Sequence, residues 1–142
     1  MLISTKGRYA LRVLIDLAEH RNGGYTPMKE IAERQEISLK YLERIVPELT
    51  KAKYIEGIHG KGGGYRLIKE PSDCNVWDIL CVTEDDLAPV SCLKKDAPAC
   101  SRAAECRTLP MWDGFYKLTH DYFSGITVAD LIKESASDNY VI

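Results

Sequence analysis

Residues 59–65 read HGKGGGY, with glycine at 60, 62, 63 and 64. Tyr54, Ile55 and Ile58 lead into this run, and Tyr65, Leu67 and Ile68 lead out of it. Two short β-rich segments around a glycine turn predict a hairpin. Glycine supplies positive φ in such a turn and lets the backbone come close to a ligand. The run is not a nucleotide-binding loop: the GxxxxGK spacing is absent, and no Ser or Thr follows Lys61.

What surrounds the hairpin is helical in period. Ser4 or Thr5 caps a helix with Leu11, Leu14, Ile15 and Ala18 on one face, ended by His20, Asn22 and Gly23-Gly24. His20 is read as a helix-end residue rather than a ligand. Thr26 and Pro27 form an N-cap and first-turn pair for a short helix through Arg34. Gln35-Glu36-Ile37 makes a tight turn. Ser38 then caps a helix whose buried stripe is Leu42, Ile45, Val46 and Leu49. Pro47 inside that helix predicts a kink or an early end. Two short helices joined by a tight turn are a helix-turn-helix pattern, and a hairpin directly behind one is a wing.

Beyond the wing, Asn75 caps a helix carrying Val76, Ile79, Leu80 and Val82, with acidic Glu84-Asp85-Asp86 after it. The stretch with Pro89 and Pro98 reads as irregular. A longer helix starts near Leu109-Pro110 and stops at Gly125. It sets Trp112, Phe115, Tyr116, Thr119, Tyr122 and Phe123 along one stripe. Thr127 to Asp130 looks like a capping box for a last short helix. The tail, 135–142, is expected to be mobile. The expected architecture is mainly α with a small β-hairpin wing: a winged helix-turn-helix over 1–72, a connecting helix and cysteine loop over 73–107, and a dimerisation helix with its short partner over 108–134. The aromatic stripe serves either as a core element of its own domain or as a two-fold dimer contact. The second is favoured because little chain remains for it to pack on.

Charge divides along the same line. Residues 1–70 hold 13 Lys and Arg against 9 Asp and Glu, and residues 71–142 hold 6 against 12. A polyanion would therefore meet the first half. The opening twenty residues carry charge throughout their apolar stretch, so they are neither a signal peptide nor a membrane span. A reducing cytoplasm is the expected compartment, and no membrane partner is expected. There, five cysteines point to metal or redox chemistry rather than a disulfide framework. Cys92, Cys100 and Cys106 lie within CLKKDAPACSRAAEC. Soft metal ions favour grouped thiolates, but a closed site normally takes four ligands, and no fourth cysteine or histidine lies nearby. Cys74 and Cys81 sit beside apolar residues and read as buried structural thiols. His120 reads as a dimer-surface residue.

STKGRYAL, SLKYLE, HGKGGGYRL, the three cysteines before LPMWDGFYK, and ITVADL together resemble the Rrf-two family of winged helix-turn-helix transcription regulators, of the IscR, NsrR, RirA and CymR type. The resemblance covers about residues 1–134. It implies a homodimer on pseudo-palindromic double-stranded promoter DNA, acting as a repressor. In many members it also implies an iron–sulfur cluster that controls DNA affinity. On the recognition helix, the groove-facing candidates are Ser38, Lys40, Tyr41, Glu43 and Arg44, opposite the buried stripe. Arg44 suits a guanine edge and Glu43 a cytosine, while Lys40 and Tyr41 suit phosphates. The plain alternative is a solvated helix face. Wing candidates are His59, Lys61, Gly62, Gly63 and Arg66, with Lys6 and Arg8 as phosphate contacts from the first helix. IscR-like members carry arginine where this chain has His59.

The resemblance implies Cys92, Cys100 and Cys106 as ligands, 2Fe–2S in preference to 4Fe–4S, with zinc as a competitor. Leu109 stands where IscR-like members place a histidine ligand, and Arg8 where NsrR-like members place an aspartate. The fourth ligand is thus open among Asp96, Glu105, water, a small thiol or a residue across the dimer. Two other functions are weighed. One is a cluster-free regulator sensing through thiols or a partner protein. The other is a metal or redox enzyme, which lacks any nucleophile–base pair or cofactor loop near the thiols.

Overall fold

The computed structural model describes residues 2–135. The expected tail at 135–142 lies outside the described residues apart from Ser135. Helix α1 spans Thr5–Glu19, capped by the Ser4 hydroxyl, which accepts from the Gly7 amide, and closed at His20. Helix α2 spans Met28–Gln35 and α3 spans Leu39–Lys51. Glu36 ends α2 in the left-handed region (φ 52°), and the Ser38 hydroxyl accepts from the Tyr41 amide to start α3. The turn between them is short because those two caps stand two residues apart.

Strands β1 (Ile55–Ile58) and β2 (Gly64–Leu67) pair antiparallel, with Glu56 opposite Arg66 and Gly57 opposite Tyr65. The expected Thr26 cap is corrected here. Pro27 is the N-cap of α2, with no side-chain cap bond. Thr26 instead exchanges both backbone hydrogen bonds with Tyr65, each 2.8 Å. Its amide and carbonyl are committed to extending the hairpin, which is a non-local demand invisible to a capping rule. The approach is close enough that a Cβ on Gly64 would overlap the Thr26 carbonyl. Pro47 does not end α3, which runs four residues past it. Val46 and Leu49 are buried on either side, and the Thr50 hydroxyl donates to the Val46 carbonyl at 2.8 Å. Burial of that stripe outweighs one lost backbone bond.

Helix α4 (Val76–Thr83) is capped by Asn75, whose side-chain oxygen accepts from the Asp78 amide. Helix α5 covers Leu109–Ser124 and α6 covers Val128–Ser135. The capping box of α6 is formed: the Thr127 amide donates to Asp130 at 3.0 Å, and the Asp130 amide donates to the Thr127 hydroxyl at 3.2 Å. A backbone bridge between Asn75 and Thr127 sets the start of α6 beside the start of α4, and α6 packs against α1.

The main core joins Ala10, Val13, Leu14 and Leu17 of α1 to Ile31, the α3 stripe, Ile55 and Leu67 of the wing, and Ile79 and Val128. A smaller cluster of Val76, Trp77, Leu80 and Leu87 takes Tyr116 and Phe123 from α5. So the aromatic stripe does find part of a partner within its own chain. Tyr116 and His120 pack on Trp77, with ring centroids at 5.8 and 4.8 Å. No α5 residue is fully buried, however, and Met111, Trp112, Phe115, Leu118 and Tyr122 remain exposed.

One further contact ties the halves together. Glu84, which caps the end of α4, accepts from the Ser4 amide at 2.9 Å and the Ser4 hydroxyl at 2.7 Å. A Cβ on Gly7 would lie 2.5 Å from the same carboxylate, so glycine is what allows that approach. Among the described residues, no helix is long and apolar enough to cross a membrane.

Candidate nucleic-acid interface and cysteine loop

Helix α3 turns its stripe of Leu42, Ile45, Val46 and Leu49 inward. Helical period then leaves Ser38, Lys40, Glu43 and Arg44 exposed on the other side, with Tyr41 half-buried. The wing stands beside this face: Val46, Pro47, Thr50 and Lys51 of α3 and Gly57, Ile58 and His59 of the hairpin line one open groove. His59, Lys61 and Gly62 are exposed at the hairpin tip, and Gly63 is half-buried beneath it. Arg66 is not brought to that groove. It pairs with Glu56 across the strands at 2.6 Å and lies over the Tyr25 ring at 4.7 Å. There it lines a separate cleft with His20 and Arg21.

The α1 candidates differ from each other. Lys6 is engaged, with its ammonium 2.9 Å from Glu48 of α3. Arg8 is exposed and donates to the Thr5 hydroxyl at 3.0 Å.

Between α1 and α3 lies a set of rings and cations that sequence reasoning missed. The Arg12 guanidinium lies 5.1 Å from the Tyr9 ring centre, Tyr9 meets Tyr41 edge-on at 5.2 Å, and Arg44 lies 5.7 Å from the Tyr41 centre. Arg12 also donates to the side-chain oxygen of Gln35 at 3.3 Å and to its carbonyl. Gln35 in turn donates to Asp16 at 2.9 Å. Asp16 is fully buried and takes a two-pronged contact from Arg34, at 2.8 and 3.0 Å. Burial alone would raise its carboxyl, but the bonds from Arg34 and Gln35 and the nearby positive charge outweigh that and hold it below the ordinary carboxylate range. A carboxylate lodged between Leu14 and Leu17 was the one signal available beforehand.

The cysteine loop leaves α4 under a clamp. Asp86 accepts from the Ala88 amide at 2.7 Å and the Lys95 amide at 3.0 Å, closing the segment that carries Cys92. Cys92 lies in a short 3-10 turn, Ser91–Leu93, and Cys92 and Cys100 are exposed. Cys106 lies just before α5. The Thr108 hydroxyl, 3.5 Å away, and the amides of Thr108 and Leu109 hold its thiol below the ordinary cysteine range. The donor set suits a thiophilic centre: three reachable sulfurs, one already in an anion-stabilising setting, on a loop with little regular structure. The loop as it stands does not gather them. Among the described residues, no three His, Cys, Asp or Glu side chains are grouped to hold a metal ion. Cys74 is buried as expected, but Cys81 is exposed, correcting the expectation of a buried thiol. Cys81 falls on the α4 face turned toward the open cleft under Lys95 rather than toward the core. His120 is half-exposed, edge-on to Trp77.

Comparison with known proteins agrees with this architecture. The family model described as Rrf2, iron-dependent transcriptional regulator, matches residues 3–134. The chain is 37% identical over 136 residues to the protein rrf2 of Nitratidesulfovibrio vulgaris, covering 96% of this chain and 90% of that one. It is 31% identical to the transcriptional regulator IscR of Aliivibrio salmonicida, covering 95% and 79%. Among solved structures, IscR of T. potens superposes with a TM-score of 0.77 at 33% identity, covering 100% of this chain and 93% of that one. CymR, the global cysteine regulator of B. subtilis, superposes with a TM-score of 0.75 at 32% identity, covering 94% and 98%. The IscR relative is named as a transcriptional regulator, not an enzyme.

Proposed function

Because the chain belongs to the Rrf2 family of transcriptional regulators, we propose that it is a cytoplasmic, homodimeric repressor whose DNA affinity is set by an iron–sulfur cluster on the cysteine loop. The observation that carries the DNA-binding part is the exposed polar face of α3 standing beside the glycine wing across one open groove. Such a face enters the major groove while the wing tip lies along the backbone or minor groove. Arg44 reads a guanine edge and Glu43 a cytosine, while Lys40, Tyr41, Arg8 and the wing residues His59, Lys61, Gly62 and Gly63 hold phosphates and set register. Lys6 joins them once phosphate competes with Glu48, and Arg66 acts from behind by bracing the hairpin. The exposed apolar residues of α5 support a two-fold mate, which would place two recognition helices on the half-sites of a pseudo-palindrome.

Cys92, Cys100 and Cys106 would hold the cluster, favouring 2Fe–2S. When bound, it supplies a redox- and iron-responsive centre. The chain's own part is to deliver thiolates, with Cys106 eased toward that form by Thr108 and the α5 amides, and to pin the loop through Asp86. Anaerobic purification with a visible spectrum and with iron and sulfide assays tests this, alongside a Cys92/Cys100/Cys106→Ala variant. The parent is expected to be coloured, with iron and sulfide in step, and the variant colourless. A colourless, iron-free parent after anaerobic reconstitution overturns it. A second reading is favoured by the CymR likeness and the lowered Cys106 thiol: cluster-free sensing by the thiols themselves. In that case the same variant abolishes the response of DNA binding to oxidants without any colour being lost.

A further inference from the structure

We infer that Tyr9 is a positioning residue for base reading: its ring fixes Tyr41, and Tyr41 fixes the guanidinium of Arg44. The inference rests on the proposed DNA-binding role of α3. Tyr9 belongs to α1 and stands among none of the residues assigned to DNA above. It is half-buried against the main core, so its own ring has a defined place. Tyr41 is likewise half-buried against that core, but it lies on the outer side of α3, where the core alone leaves its ring some rotamer freedom. The 5.2 Å edge contact at an interplanar angle of 70° is the favoured arrangement for two aromatic rings and removes that freedom.

Arg44 is exposed and makes no ion pair among the described residues. The contact that restrains it is the Tyr41 face at 5.7 Å. A guanidinium can match a guanine edge only in one plane, and a long side chain loses much rotamer entropy in reaching it. Holding the head over a fixed ring beforehand reduces that loss on binding. The far end of the row is anchored too. Arg12 covers Tyr9 and is tied through Gln35 to the buried Asp16. The row Arg12–Tyr9–Tyr41–Arg44 therefore connects the innermost polar group of the domain to its outermost reading group.

The test is a double-mutant cycle on DNA affinity, using a duplex selected by the parent and a random duplex of equal length. The variants are Tyr9→Phe, Tyr9→Met, Arg44→Ala and Tyr9→Met/Arg44→Ala, with thermal unfolding measured for each. Tyr9→Phe keeps the ring and is expected to bind as the parent does. Tyr9→Met is expected to weaken the selected duplex about three- to tenfold while leaving the random duplex nearly unchanged. With Arg44 already removed, Tyr9→Met is expected to add almost nothing. Full additivity overturns the inference, as does an equal loss on both duplexes shared by Tyr9→Phe, which would make the hydroxyl a phosphate contact. If Tyr9→Met does not fold, Tyr9→Leu removes the same ring and takes its place in the cycle. A parent that binds no duplex at all removes the DNA-binding reading itself, and this inference with it. A parent that binds while the cycle is additive removes the inference alone.

Discussion

Two carboxylates, each facing a cation, behave differently because their surroundings differ. Asp16 has no exposed surface, and Arg34 and Gln35 supply its bonds. Replacing it by Asn leaves a partly buried guanidinium with only its longer contact to Glu30, at 3.4 Å. Asp16→Asn is expected to lower the unfolding free energy by about 2–4 kcal/mol in urea titration, the Arg34 head being partly solvated. Its carboxyl is held below the unfolded value of about 3.9, so its stabilisation is complete above about pH 5. That contribution is lost as pH falls through about 4 toward the folded value, and the parent's stability should drop more steeply there than the variant's. Glu48 is the opposite case. One oxygen meets Lys6 and the other is buried without a partner among the described residues. Glu48→Gln frees Lys6 for phosphate, and DNA affinity should rise while the plot of log K against log salt steepens by about one unit.

At the scale of elements, what could be read from sequence was what neighbours in sequence decide. Ser4, Ser38, Asn75 and the Thr127–Asp130 box cap their helices as their side chains and spacing require. What could not be read depends on groups far along the chain. Thr26 has the residue type of a cap, but Tyr65 claims its backbone. Pro47 has the residue type of a terminator, but two buried neighbours carry the helix past it. Arg66 has the residue type of an unpaired surface cation, but Glu56 stands opposite it across the strands, a pairing that depends on hairpin register. The Thr26 bridge also explains why glycine stands at 64. Gly64→Ala forces a Cβ into the Thr26 carbonyl and should cost about 1–3 kcal/mol, as over-packing does elsewhere. Amide exchange at Tyr65 is expected to accelerate, and DNA affinity to fall, with no change in the molecule's sedimentation.

Over the whole molecule, α5 is the element whose environment is incomplete. One side rests on Trp77 through Tyr116 and His120, and the other leaves Leu118 68% and Tyr122 65% exposed. The sequence stripe was real, but its division into an inner and an outer half depended on where α4 placed Trp77. In the proposed dimer, Leu118→Glu sets a charge in the outer half and should shift sedimentation velocity from dimer toward monomer. Affinity for a two-half-site operator should fall with it, whereas a single half-site is read as before. The cysteine loop was legible as three thiols but not as a shape, because its Asp86 clamp and turns come from main-chain bonds no spacing reveals.

The Ser4–Glu84 contact has a thermodynamic consequence. It joins the first turn of α1, which carries Lys6 and Arg8, to the residue from which the cysteine loop departs. Any free energy that passes from the loop to the helix proposed to face DNA through this joint passes back by the same amount. An operator that gripped the protein more tightly in one state of the loop would, for that reason alone, hold the loop in that state. The promoter would then act as a ligand of the sensor as much as the sensor acts on the promoter.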